Sequence, residues 1–226
     1  MGINAFDARF TVDELCLSSI YPCTSVISST FKNLNYGVYL QCSNAADANA
    51  RICNAVFDNN FRGVFLRSAN NSIITNNSFY VGANVFEITP VPFEHKAYGL
   101  YMESSTGFTV ENNSFEASQN SWYGVVVNNL GKGNNRLYRN QFNGFKIATL
   151  SMGQNGFLQT GLQFKCNQYG KVGLTDIGIS SGNIAYYQGY CSNDKRTPSL
   201  PGGTMQLSFI NTNLNTKFIT TNIAFV

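Results

Sequence analysis

Charge is scarce in this chain. Charged residues make up 12% of its 226 positions, about half the usual share of a globular domain. Lys and Arg number 15 against 12 Asp and Glu, so the net charge is only +3, and no basic run occurs. A nucleic-acid partner needs a concentrated positive face and is not expected. The single histidine, His95, leaves no short-spaced set of His and Cys ligands of the kind a zinc site requires. Neither a metal nor a cofactor is therefore expected. No apolar run reaches the length of a transmembrane helix, so direct membrane insertion is not expected. The start, Met1-Gly2-Ile3-Asn4, lacks the basic and apolar regions of a signal peptide. Disorder is excluded, because 43% apolar residues are enough for a core.

Asparagine, glycine and aromatics are abundant. Asn occupies about thirty positions, Gly 20, Phe 18 and Tyr 12. That composition suits stacked β-structure with many tight turns. Six cysteines suggest disulfides and an oxidising compartment, secreted or at the cell surface. The chain reads as a mature or excised piece of an exported protein. Ala224-Phe225-Val226 reads as an interrupted strand.

Six asparagines recur at matched places: Asn33, Asn59, Asn77, Asn113, Asn140 and Asn167, spaced 26, 18, 36, 27 and 27 residues apart. Each lies two residues before Asn35, Phe61, Phe79, Phe115, Phe142 or Tyr169. A period in the twenties marks a solenoid. Phe31 to Leu40 aligns with Phe57 to Leu66 at a constant offset of 26. The Gly-apolar-x-apolar piece returns as Gly99-Leu100-Tyr101-Met102 and Gly124-Val125-Val126-Val127. Short period-two strands between Asn and Gly turns cannot bury a face alone. Stacking them in parallel closes a central core, which predicts an all-β fold, a right-handed parallel β-helix of about eight coils, roughly 40 Å long at the interstrand spacing. Coils occupy residues 1–192, with inserted loops near 43–50 and 80–97. Residues 193–226 form a loop and terminal strands that continue the helix or lead into further coils. The six asparagines are expected to form an inward ladder, each amide bonding its neighbours above and below.

The pieces Ser72-Ile73-Ile74-Thr75-Asn76-Asn77-Ser78-Phe79 and Phe108-Thr109-Val110-Glu111-Asn112-Asn113-Ser114-Phe115 resemble the right-handed parallel β-helix proteins of the pectate-lyase-like superfamily. The resemblance spans roughly residues 26 to 190 and implies fold more than activity, since such coils carry lyases, hydrolases, epimerases and adhesins. The stretch Gly161 to Asn167, with Gly182-Asn183-Ile184-Ala185 and Gln188-Gly189-Tyr190-Cys191, is similar to β-helix regions of Bacteroidetes surface proteins. That resemblance implies export by the type IX route, although no sorting domain is visible.

Catalysis on such a coil needs clustered acids. Read in this register, Glu103, Glu111 and Glu116 fall in different columns and no two carboxylates stack. The expected function is a non-enzymatic exported surface module, a rigid spacer or an adhesin-like binder of glycan or protein. The alternative is a polysaccharide lyase or glycoside hydrolase with acids outside this pattern. Binding is expected at an outward aromatic column, Tyr39, Phe65 and Tyr101, whose rings could lie flat against sugars. The loop cluster Glu94, His95 and Lys96 is a second candidate. Further coils of a parent chain are expected to meet this one end to end. Arg67 and Glu103 should pair across adjacent coils. A Cys166–Cys191 disulfide is predicted between neighbouring coils. For the remaining four, either Cys16–Cys23 with Cys42–Cys53 or Cys16–Cys42 with Cys23–Cys53 fits the spacing.

Overall fold

The structure, a computed structural model, describes residues 1–18, 22–43, 48–82, 96–118, 121–157, 160–171, 173–185 and 207–209. Three sheets of stacked strands wrap one core, and no helix occurs among the described residues. The first sheet runs Ile3–Phe6, Tyr36–Gln41, Arg62–Arg67, Tyr98–Glu103, Tyr123–Asn128, Ile147–Met152, Thr175–Ile179, Leu207–Phe209. The second includes Phe10–Val12, Ala50–Cys53, Ile73–Thr75, Thr109–Glu111, Asn135–Tyr138 and Thr160–Lys165. The third runs Thr30–Lys32, Val56–Asn60, Ser78–Val81, Ser114–Ala117, Gln141–Asn143, Gln168–Tyr169. Neighbouring strands along these stacks pair in parallel. One coil takes one strand from each sheet in turn, as in Tyr98–Glu103, Thr109–Glu111 and Ser114–Ala117. This is a parallel β-helix.

Alternation decides what faces the core. In the first sheet Val38, Val64, Leu100 and Val125 form one inward column, and Leu40, Leu66, Met102 and Val127 another. All are fully buried or within 1% of it. The second sheet contributes Ile52, Ile74, Val110 and Leu137. The third contributes a stack of rings: Phe31, Phe57, Phe79, Phe115, Phe142 and Tyr169, with successive centres 4.6–5.3 Å apart and nearly parallel planes. Parallel strands in register bring like residues to the interstrand spacing, where flat rings pack face to face.

The asparagine ladder has four rungs rather than six. The backbone N–H and side-chain Nδ2 of Asn77 both donate to Oδ1 of Asn113 at 3.0 Å. Asn113 treats Asn140 likewise, and Asn140 treats Asn167 at 2.9 and 3.1 Å. Each Nδ2 also donates to a core-strand carbonyl of the preceding coil, that of Ile52, Ile74, Val110 or Leu137. Asn33 and Asn59 stand elsewhere. Phe57 pairs with Phe79, so Ala55, not Asn59, occupies the position of Asn77 and donates its N–H to Asn77 Oδ1. Asn59 is the extra residue of a bulge, with φ of 52°, and its exposed amide donates to Asn33 at 2.8 Å. The true interval is the 22 residues from Phe57 to Phe79. The expected 18-residue spacing arose because an Asn follows Phe57 by two residues, at Asn59, but precedes Phe79 by two, at Asn77. Asn35 and Phe61 accordingly do not belong to the ring stack.

Cys16 and Cys23 form a disulfide closing a small antiparallel hairpin, Leu15–Cys16 with Val26–Ile27. Cys42 and Cys53 are buried free thiols, so neither proposed pairing of the four is complete. The hairpin holds Cys16 and Cys23 on one exposed arm, whereas Cys42 packs into the core and Cys53 lies on the outward side of the second sheet, covered, with its Sγ 3.3 Å from Thr75 Oγ1. Cys166 is disulfide-bonded. Its expected partner Cys191 lies outside the described residues, as do residues 83–95, most of the loop expected near 80–97.

Candidate functional site

The outward column of the first sheet reads Tyr39, Phe65, Tyr101, Val126, Leu150. Its rings stack on one another, Tyr39 on Phe65 at 4.8 Å and 8°, Phe65 on Tyr101 at 5.2 Å and 13°. Stacked along the solenoid, these rings spend their faces on each other and turn their edges outward. A sugar cannot lie flat on them. Burial also deepens along the column: Tyr39 and Phe65 are half-buried, Tyr101 is 7% exposed and Val126 not at all. Tyr101's hydroxyl accepts from Asn128 Nδ2 at 3.1 Å. Beside it, Arg62 packs its guanidinium 4.8 Å from Tyr36 and 5.8 Å from Tyr98, and its Nη1 donates to the Tyr36 hydroxyl. The column is thus part of an outer packing layer with Tyr98, Tyr123 and Ile147. Burial pushes the Tyr98 and Tyr101 phenols up, and that of Tyr123 to about 12.

The second sheet is different. Its outward side chains form two short rows across three coils, Thr109, Arg136 and Gln163 in one, Glu111, Tyr138 and Lys165 in the other. With the Gly107–Phe108 and Asn134–Asn135 corners, five of these six side chains line a groove of about 290 Å³, Lys165 lying just beyond it in Tyr138's row. Arg136 and Arg139 place their guanidiniums 4.8 and 4.9 Å from the Tyr138 ring. Asn135 Oδ1 accepts from the N–H of Gly107 at 2.8 Å and pins one wall. The groove offers a hydroxyl, an amide, a carboxylate and a guanidinium around one aromatic ring. Neutral, hydroxyl-rich ligands are matched by such mixed donors and acceptors. Counting back two residues from each of the six recurring asparagines puts Phe31 and Phe57 in one column with Thr75, Glu111, Tyr138 and Lys165, which hides this pattern. With the register corrected, both phenylalanines leave it, and Cys53 precedes Thr75.

Carboxylates are dispersed. Glu103 lies on the first sheet, Glu111 on the second and Glu116 on the third. Register correction does place Asp58 and Glu116 in one column, with Tyr80 between them, about 10 Å apart across two coils. The expectation that no two carboxylates share a column therefore fails. Asp58, however, is held by Lys32 at 2.6 Å, and this column lies outside the groove. Arg67 and Glu103 meet at 3.4 Å on adjacent coils. Glu94 and His95 lie outside the described residues, and Lys96 sits against Trp122, its Nζ 4.1 Å from the ring centre.

These stacked coils define a parallel β-helix module of the pectate-lyase-like kind. The family described as periplasmic copper-binding protein (NosD) matches residues 18–171, more than half of the chain. The chain belongs to that family, a family of exported β-helix proteins. No curated protein and no solved structure matched it. Copper prefers imidazole, thiolate and thioether ligands gathered at one point. Among the described residues no three His, Cys, Asp or Glu converge in that way. Met102 is sealed in the core. Burial, and then the Asp7 carboxylate, pushes the Cys42 thiol up, away from the thiolate a metal needs. The described residues do not fit a copper site.

Proposed function

We propose that this chain is a non-enzymatic, exported β-helical module that binds a neutral stretch of glycan in the groove of its second sheet. One observation carries the reading: Glu111, Arg136, Tyr138 and Gln163 line a single groove with their polar ends around an outward ring. With the Arg136 and Arg139 guanidiniums lying over the Tyr138 ring, the amide, carboxylate and guanidinium groups of the groove are what satisfy a sugar's hydroxyls. Glu111 is the groove's lone carboxylate, whereas bond cleavage by a glycosidase uses two. The stacked coils make a stiff support for this surface, and display at the cell surface belongs to the same proposal.

Affinity electrophoresis through dextran, xylan or galactomannan tests it. At least one polymer should retard the chain, and Tyr138→Ala and Gln163→Ala should abolish the retardation with the melting temperature nearly unchanged. No retardation by any of the polymers, or retardation indifferent to both variants, would overturn the reading. Release of new reducing ends would make the chain an enzyme instead.

A further inference from the structure

The corner that leads into the first sheet carries a basic and aromatic cluster unrelated to the groove. Trp122 is the single tryptophan of the chain and is half-buried. Lys96 Nζ lies 4.1 Å and Lys146 Nζ 4.2 Å from its ring centre. The three residues immediately precede or closely flank Tyr98, Tyr123 and Ile147, which pair on successive coils. One lysine therefore comes from the coil before Trp122 and the other from the coil after. Lys96 also donates to the Tyr123 hydroxyl at 3.4 Å. Among the described residues neither lysine takes part in an ion pair.

Two ammonium groups held against one half-buried indole repel each other, and cation–π attraction only partly offsets that cost. Burial, and then Lys146, lowers the pKa of Lys96. Anionic groups brought to the pair would remove the repulsion. The lysine stems start two coils apart, about 10 Å along the solenoid, with the indole between them. Charge is thus set out along an axis, as a linear polyanion carries it. Neither lysine offers the planar fork with which arginine selects a carboxylate, so charge and spacing are read rather than the kind of acid.

We propose that Lys96, Trp122 and Lys146 form a binding site for an anionic glycan, one carrying sulfate esters or carboxylates along its length. The carbohydrate backbone rests on the glycan-binding reading above. The site itself lies on another sheet from the groove, so the two can fail separately.

Trp122 makes the test direct, because all tryptophan fluorescence comes from this site. The full chain is titrated with dextran, carboxymethyl-dextran and dextran sulfate, which share one backbone. Emission should shift with at least one charged polymer and not with dextran. A response to dextran sulfate alone assigns sulfate esters, and a response to carboxymethyl-dextran alone assigns carboxylates. Lys146→Ala should weaken the response at least about tenfold, the loss of one charge-assisted contact. Lys146→Gln, which keeps the stem, should do the same and guards against misfolding of the first variant. Tyr138→Ala should leave the response intact. No shift with either charged polymer, an unchanged shift in both Lys146 variants, or an equal shift with single-stranded DNA of matched charge would overturn the proposal.

Discussion

Asn113 shows what a single residue does in this fold. Its Oδ1 accepts two bonds from Asn77, and its own N–H and Nδ2 donate to Asn140, with Nδ2 also reaching the Ile74 carbonyl at 2.8 Å. It is 1% exposed, so water cannot replace these partners. Asn113→Ala should cost about 3 kcal/mol, because donors on Asn77 and the Ile74 carbonyl are stranded without partners. Asn59→Gly is the matched control. It keeps the left-handed backbone at φ of 52° and gives up only an exposed bond to Asn33, so its effect should stay within about 0.5 kcal/mol. Urea denaturation of the two variants reads the difference, and equal losses would mean that both asparagines stand in one ladder after all. Both were legible in the sequence as recurring asparagines. Their separation into two corners was not, because residue type repeats at both places and only strand pairing tells them apart.

Among the elements, the glycine at the second position of Tyr36–Gln41, Arg62–Arg67, Tyr98–Glu103 and Tyr123–Asn128 is set by the neighbouring ring stack. A Cβ on Gly99 would lie 2.7 Å from the Phe115 ring and 2.8 Å from the Gly124 carbonyl. Gly37 and Gly124 meet Phe57 and Phe142 at 2.7 Å in the same way. Gly99→Ala should therefore cost about 1–3 kcal/mol as an overpacked core, while Gly131→Ala, with nothing within 4 Å, should cost only the penalty of its positive φ, about 1 kcal/mol. Comparable losses at the two sites by thermal denaturation would show that the ring stack does not demand the glycine. The Gly-apolar-x-apolar repeat was readable without a structure because alternation fixes which side chains point inward. Outward positions were readable only as outward. Whether Tyr101 meets solvent depends on what packs over it, and whether Tyr39, Phe65 and Tyr101 offer faces or edges depends on ring rotation. Neither leaves a trace in spacing. The second-sheet groove was hidden by the mistaken register, and the Trp122 cluster by its place in a corner outside the repeat, with the single tryptophan its one available signal.

For the whole molecule, the outer layer of buried tyrosines ties stability to alkaline pH. Burial raises the phenols of Tyr98, Tyr101 and Tyr123 in this layer, Tyr123 from 10.0 to about 12, and also that of Tyr169 in the inner ring stack. Below pH 10 these groups are protonated in both the folded and the unfolded chain, and their contribution is complete. Between pH 10 and 12 the unfolded chain releases protons that the folded chain still holds. Unfolding is then increasingly favoured, and stability falls until the folded phenols ionise as well. A shift of two units corresponds to about 3 kcal/mol for one fully buried phenol, an upper figure for Tyr123. Lys96, lowered by burial and then by Lys146, works in the opposite direction and softens the slope. Tyr123→Phe removes one contribution without emptying its place in the layer, so denaturation midpoints measured from pH 9 to 12 should fall less steeply than in the parent chain. Identical slopes would mean that the phenol of Tyr123 reaches solvent and that the outer layer over the first sheet is open, which would return that face to the candidates for ligand binding.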